Sequence, residues 1–251
     1  MKLSSLLLAC LLGTSLVPAA NAFDLGKALK VGTQALQAAT LSDTDVKALA
    51  NQACEQSDGE EKIAGPKDKY SKRLDNIAKK LGSEINGQPV NYKVYITPDV
   101  NAWAMANGCI RVYSGLMDLM SDDEIIGVLG HEMGHVALGH SKKAMQTAYA
   151  VATAKSAVGE YGGSAGAALS GSTLGKFTED LINAQFSQSQ ELDADNFSYD
   201  LLTQKKLKRE ALITAFQKLA QLGGGEHSML DSHPASADRA KNIETRIASN
   251  K

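Results

Sequence analysis

Residues 131–135 read His-Glu-Met-Gly-His, and this run restricts the fold more than any other. On a helix, two histidines four residues apart lie about 40° apart around the axis, so they present their rings on one face. The residues ahead of them call for the same element. Ser121-Asp122-Asp123-Glu124 fits a capping box, with Ser121 as the cap and Glu124 three residues on. A helix opening there carries His131 and His135 side by side. Glycine at 134 leaves room for another element to approach closely.

The chemistry follows from the residue types. Two neutral imidazoles make half of a tetrahedral zinc site, and a catalytic zinc takes three protein ligands and keeps one position open. Glu132 is next round the helix. Zinc lowers the pKa of a bound water towards 7, and Glu132 is placed to take its proton as general base for attack on a peptide carbonyl. Chance puts this motif in under about 1% of chains of such composition, so a metal role stands above accident. The third ligand comes from elsewhere, with His140, Glu191, Asp193, Asp195, His227 and His233 as candidates. Glu191 and Asp195 are four apart in a helical stretch and share a face. One could meet the metal while the other holds the outer nitrogen of a ligand histidine. The plain alternative is a solvated acidic face, against which Leu192, Ala194 and Phe197 argue for burial. His140, nine residues from His131, points off the metal face, and His227 in a glycine-rich loop reads as solvated.

Composition removes other classes. The 251 residues carry a net charge of -2, whereas phosphate binding needs surplus Lys and Arg, so no nucleic-acid partner is expected. Aromatic residues at 5% are too few for a base-stacking platform.

The N-terminus reads as an export leader. Lys2, a short apolar run from Leu6 to Val17 and the small-x-small triplet Ala20-Asn21-Ala22 predict a signal peptide over 1–22 and a mature start at Phe23. The run is shorter than the ~20 residues of a spanning helix. Leu7-Leu8-Ala9-Cys10 resembles a lipoprotein site but lies too near Met1, so anchoring at Cys10 is not expected. Removing the leader leaves Cys54 and Cys109, which an oxidising compartment would join as a disulfide. Neither has a second Cys or His nearby at ligand spacing.

The pattern along the chain is α+β and mainly helical. Ser42-Asp43-Thr44-Asp45 opens a helix with Val46, Leu49, Ala50 and Ala53 on one face. Residues 57–66 read as a loop and 67–81 as an amphipathic helix. Strand signals over 90–96, 102–105 and 109–113, with an Asn107-Gly108 turn, predict a small antiparallel sheet. Helices are expected over 141–158, 174–204, 210–222 and 234–249, with a mobile Gly/Ala/Ser-rich segment at 159–171.

Together these residues resemble the M48 group of zinc metallopeptidases. The resemblance rests on His131 to His135 with Gly139-His140, on Glu191-Leu192-Asp193-Ala194-Asp195, and on Asn101-Ala102 and Gly108 through Gly115-Leu116. His233-Pro234 and Arg239 complete it. It covers roughly 67–247 and is closest to the periplasmic branch, so 23–251 is expected to be one metallopeptidase domain. It implies a gluzincin-type domain, with the small antiparallel sheet beside the active-site helix and an edge strand that holds extended substrate. It implies one Zn2+ per chain on His131, His135 and Glu191, with Glu132 as base and Asp195 behind a ligand. His233 and Arg239 are further catalytic candidates: either could stabilise the oxyanion. His233 could instead sit on the metal at rest, or simply cap the helix that follows.

The reading that results is a periplasmic zinc endopeptidase that cleaves extended or misfolded envelope proteins in quality control. Peripheral association with the outer membrane or with envelope assembly proteins fits that location. The rival is a zinc-bound chaperone or assembly factor with little proteolysis, against which Glu132 weighs, since pure binding has no use for it. A structural zinc domain would need four Cys and His ligands in one grouping, which the chain lacks.

Overall fold

The structure is a computed structural model that describes residues 41–157, 169, 171–222, 229–233 and 237–249. The leader over 1–22, His227 and the segment 159–171, save Leu169 and Gly171, lie outside those residues. In chain order the elements are α1 (Asp43–Glu60), α2 (Lys69–Leu81), β1 (Glu84–Ile85), β2 (Gln88–Pro89), β3 (Asn91–Tyr95), β4 (Ala102–Ala104) and β5 (Cys109–Tyr113). Then come α3 (Ser114–Leu119), α4 (Asp122–Ala137), α5 (His140–Ala157), α6 (Ser172–Ile182), α7 (Gln188–Gln204), α8 (Ala211–Leu222), α9 (Met229–Ser232) and α10 (Ala237–Ser249).

The capping box expected at Ser121 forms, and the helix start expected at Ser42 is a capping box as well. Ser42 opens α1 with Asp45, and Ser121 opens α4 with Glu124. A third went unread. Ser187 and Gln190 cap the start of α7, so the single helix expected over 174–204 is two, α6 and α7, joined by residues 183–187. The loop expected over 57–66 begins later than the sequence suggests, because α1 continues through Ser57 and Asp58 to Glu60. Those two residues are held by Tyr95, whose hydroxyl meets Ser57 Oγ at 3.0 Å and donates to Asp58 at 2.8 Å.

The main sheet has the order β3-β5-β4. The hairpin at Asn107-Gly108 joins β4 and β5 antiparallel as expected, with Gly108 at φ +81. β3 departs from expectation: it runs parallel to β5, from Asn91↔Cys109 to Tyr95↔Tyr113. The chain crosses from β3 to the far side of β5 before β4 begins, so strands consecutive in sequence are not neighbours. Central β5 is buried at all five positions. Its two faces serve two cores. Ile110 and Val112 join Val94 against α2, α4, α7 and α8, and Cys109 and Tyr113 join Tyr95 and Trp103 against α1, α5 and α6. A short hairpin, β1 with β2, precedes this sheet.

A disulfide joins Cys54 on α1 to Cys109 on β5, with Cα atoms 6.5 Å apart. Beside it Arg111, 1% exposed, donates from Nε and Nη2 to both oxygens of Asp58 at 2.7 and 2.9 Å. Covalent and ionic links thus fix α1 to the sheet. No helix among the described residues is long and apolar enough to cross a membrane.

Candidate metal centre

α4 is buried along its length, including His131, Glu132 and His135. Its glycines set how near its neighbours come. A methyl group at Gly134 would lie 3.0 Å from the Ala194 carbonyl, and one at Gly130 would lie 2.5 Å from Ser198 Oγ. These contacts seat α7 directly on the histidine face, as glycine at 134 anticipates. Ser198 donates from Oγ to the Gly127 carbonyl at 2.8 Å, which fixes the register between the helices. In that register Glu191 and Asp195 face the rings.

Four groups converge: atoms of His131, His135, Glu191 and His233 all lie within 4.8 Å of one another. His131 Nε2 is 3.0 Å from His135 Nε2 and 3.2 Å from His233 Nδ1. Glu191 Oε1 is 3.0 Å from His233 Nδ1 and 3.4 Å from His135 Nε2. The other nitrogen of His131, Nδ1, is 2.7 Å from Asp195 Oδ1. A carboxylate only accepts, so Nδ1 carries the proton and Nε2 turns its lone pair into the cluster. Arg239 stands behind. It donates from Nε to Asp195 Oδ2 at 2.8 Å and from Nη2 to Oδ1 at 2.7 Å, and its Nη1 lies 2.8 Å from Glu191 Oε2. Its guanidinium rests over Phe216.

The electrostatics follow from burial and neighbours. Burial pushes the Glu132 carboxyl up, only partly offset by His233 and His131. Burial would raise Asp195 as well, but Arg239 and His131 outweigh it and hold that group low. For Glu191 too, burial opposes ionisation and the bonds to His135 and His233 overcome it. Burial drives His135 down to about 2, so it is the neutral imidazole that a metal requires. Glu132 is 2% exposed and its Oε1 has no hydrogen-bond partner, lying 3.5 Å from His233 Nε2. An unpartnered buried carboxylate oxygen is costly unless something polar fills the space before it. Three imidazoles and a carboxylate around one point, with the Nε2 lone pair of His131 turned inward, fit a zinc-type ion.

Two contributors were not foreseen. His140, expected to point away, has its Nδ1 3.1 Å from His135 Nδ1. Helical spacing stops applying there because Gly139, at φ +77, turns the chain between α4 and α5. Phe186, in the break between α6 and α7, stacks on His135 with ring centres 3.9 Å apart and lies 5.3 Å from His233. The unread capping box at Ser187 was the signal that could have located that break. Beyond Phe186 a cleft of about 390 Å³ opens among Ala144, Ala148, Val151 and Ala184.

A helical fold with this buried histidine and carboxylate constellation defines a metallopeptidase. Comparison with known proteins agrees and makes the class specific. Residues 68–247 match the model of peptidase family M48. The chain is 51% identical to the metalloprotease YcaL of Escherichia coli, over the whole of both chains. It is 52% identical to the metalloprotease LoiP of the same organism, over 99% of this chain and 98% of that one. A putative beta-barrel assembly-enhancing protease of Vibrio cholerae is 26% identical over 69% of this chain and 38% of its own. The chain belongs to peptidase family M48 and is a metalloendopeptidase.

Proposed function

We propose that this protein is a zinc endopeptidase of the bacterial periplasm that hydrolyses extended or misfolded envelope polypeptides. The observation that carries the chemistry is the convergence of His131, His135 and Glu191 beside the unpartnered Oε1 of Glu132. In this reading one zinc is held by those three residues. Bound there, it supplies Lewis acidity that lowers the pKa of a water and polarises a peptide carbonyl. Glu132 takes the proton from that water and returns it to the leaving amine. Asp195 keeps the proton of His131 on Nδ1, and His140 steadies the outer nitrogen of His135. We assign Arg239 as a positioning residue, since its Nε and Nη2 are engaged by Asp195 and its Nη1 lies against Glu191. His233, within reach of both His131 and Glu132, would be a further group able to hold the ion in the resting protein.

Substrate would lie along β4. The ladder bonds Tyr113 N–H to Asn101 O and Met105 N–H to Cys109 O leave the polar groups of Ala102 and Ala104 facing away from β5. The Ala104 carbonyl accepts from Ser141 Oγ at 3.2 Å, and the polar groups of Ala102 on that edge suit pairing with an extended peptide. Export is supported by the leader pattern over 1–22 and by the Cys54–Cys109 disulfide, which belongs to an oxidising compartment. The name of the Vibrio relative adds weight to a role beside envelope assembly proteins.

The deciding test is digestion of casein by purified protein and by Glu132→Gln, with zinc measured in both. Cleavage by the wild type alone, at equal zinc content, sustains the peptidase; zinc in both and cleavage by neither leaves a binding protein. Sequencing the N-terminus of protein recovered from a periplasmic fraction checks export, with Phe23 expected first.

A further inference from the structure

A second cavity, of about 220 Å³, lies at the start of β4, walled by α1 and α6. At its base are two polar side chains that nothing satisfies. Asn101, 3% exposed, and Thr178, 2% exposed, each present an oxygen with no hydrogen-bond partner. Around its mouth stand three carboxylates, Glu60, Glu61 and Glu179. Two of them have outside support: Gln56 donates to Glu60 at 2.5 Å, and Lys176 meets Glu179 at 3.2 Å. Burial, with Asp99 and Glu60 nearby, keeps the Glu61 carboxyl above its ordinary value. Buried acceptors below and carboxylates above suit a group that brings positive charge and several donors together.

A metal ion fits this place poorly. Among the described residues, only the His131, His135, Glu191 and His233 group brings its ligating atoms within 4.8 Å of one another. These three carboxylates are too spread to share one ion. The cavity lies close to the active site along β4. Ile182 lines both it and a narrow gap beside Trp103, Ala104 and Met105, and that gap reaches Phe186, which stacks on His135. From Asn101 to Ala104 an extended chain advances roughly 10 Å, or three residues.

Resting on the endopeptidase reading, we infer that this cavity is a subsite for a lysine or arginine side chain of the polypeptide substrate, at one fixed distance from the bond that is cut. The ammonium or guanidinium enters between Glu61 and Glu179 and donates to the oxygens of Asn101 and Thr178.

The experiment maps cleavage sites in a denatured protein by mass spectrometry, for the wild type and for a Glu60→Gln, Glu61→Gln, Glu179→Gln variant whose melting temperature is checked. The wild type should enrich Lys and Arg at a single position relative to the cut. In the variant the preference for a lysine peptide over its norleucine counterpart, as a ratio of kcat/KM, should fall about fivefold, as expected for losing partly exposed ion pairs. Basic residues spread evenly over all positions, or a preference that survives in the variant, would overturn the inference. If the wild type cuts nothing, the endopeptidase reading itself fails. Binding of the two peptides to the zinc-loaded protein then decides the subsite alone: tighter lysine binding that the variant loses supports it, and equal binding ends it.

Discussion

Arg239 grips Asp195 with a two-pronged bond, Nε to Oδ2 at 2.8 Å and Nη2 to Oδ1 at 2.7 Å, and the same Oδ1 also accepts from His131 Nδ1. A buried cation therefore supports an anion that in turn fixes a ligand tautomer. Lysine cannot reproduce the fork. Arg239→Lys should weaken zinc affinity by about 10–100-fold, with kcat per bound zinc nearly kept. Metal titration beside activity at saturating zinc checks this. A fall in kcat at full zinc occupancy would return Arg239 to the catalytic role that the sequence suggested.

Glu132 is the proposed base, so Glu132→Gln should lower kcat by about 10²–10⁴-fold. Its zinc content should match the wild type, because the residue binds no metal in this scheme. Loss of zinc along with activity would show instead that Glu132 holds the site together.

Phe186 covers His135 and stands between the centre and the cleft beyond. Phe186→Ala should open that approach and raise kcat/KM for an unfolded substrate. The ring is half-buried, so the stability cost should be below the ~3–5 kcal/mol of a fully buried phenylalanine. Steady-state kinetics with thermal melts test both parts, and a drop in kcat/KM without unfolding would mean that the ring orients the histidine.

The Cys54–Cys109 bridge spans 55 residues of sequence. Replacing both by serine should cost roughly 4 kcal/mol in the chain-entropy model. Urea unfolding of the variant, and of the wild type with and without reductant, measures it. The reduced wild type should approach the variant.

Two carboxylates far from the metal set the acid limit. Burial tends to raise Asp58, but Arg111, Lys93 and Tyr95 bind it strongly enough to bring it to about 2. Burial likewise opposes Lys218 and Ser121 at Glu124, which also falls to about 2. Both pKa values lie below the unfolded ones of ~3.9 and ~4.3. Their stabilisation is therefore fully present above about pH 4 and is lost as pH falls towards 2. Denaturant midpoints at pH 5, 3.5 and 2.5 should decline in that order, and Asp58→Asn with Glu124→Gln should flatten the decline.

The sequence by itself determined the local parts: the helix that carries His131 and His135, its cap at Ser121, the Asn107-Gly108 hairpin, and the shared face of Glu191 and Asp195. Those features depend on residues a few positions apart, where periodicity and capping chemistry act directly. Even the break at Ser187 was written there. Only the tertiary structure decided that β3 lies parallel to β5, that His140 returns to His135 once Gly139 ends the helical spacing, and that Phe186 closes over the ring. It alone decided that Arg239 meets both Asp195 and Glu191. Such meetings join positions from five to about fifty residues apart. They depend on how closely α7 settles on the glycines of α4 and on where each chain turn aims the next element, and no spacing rule along one segment carries that information.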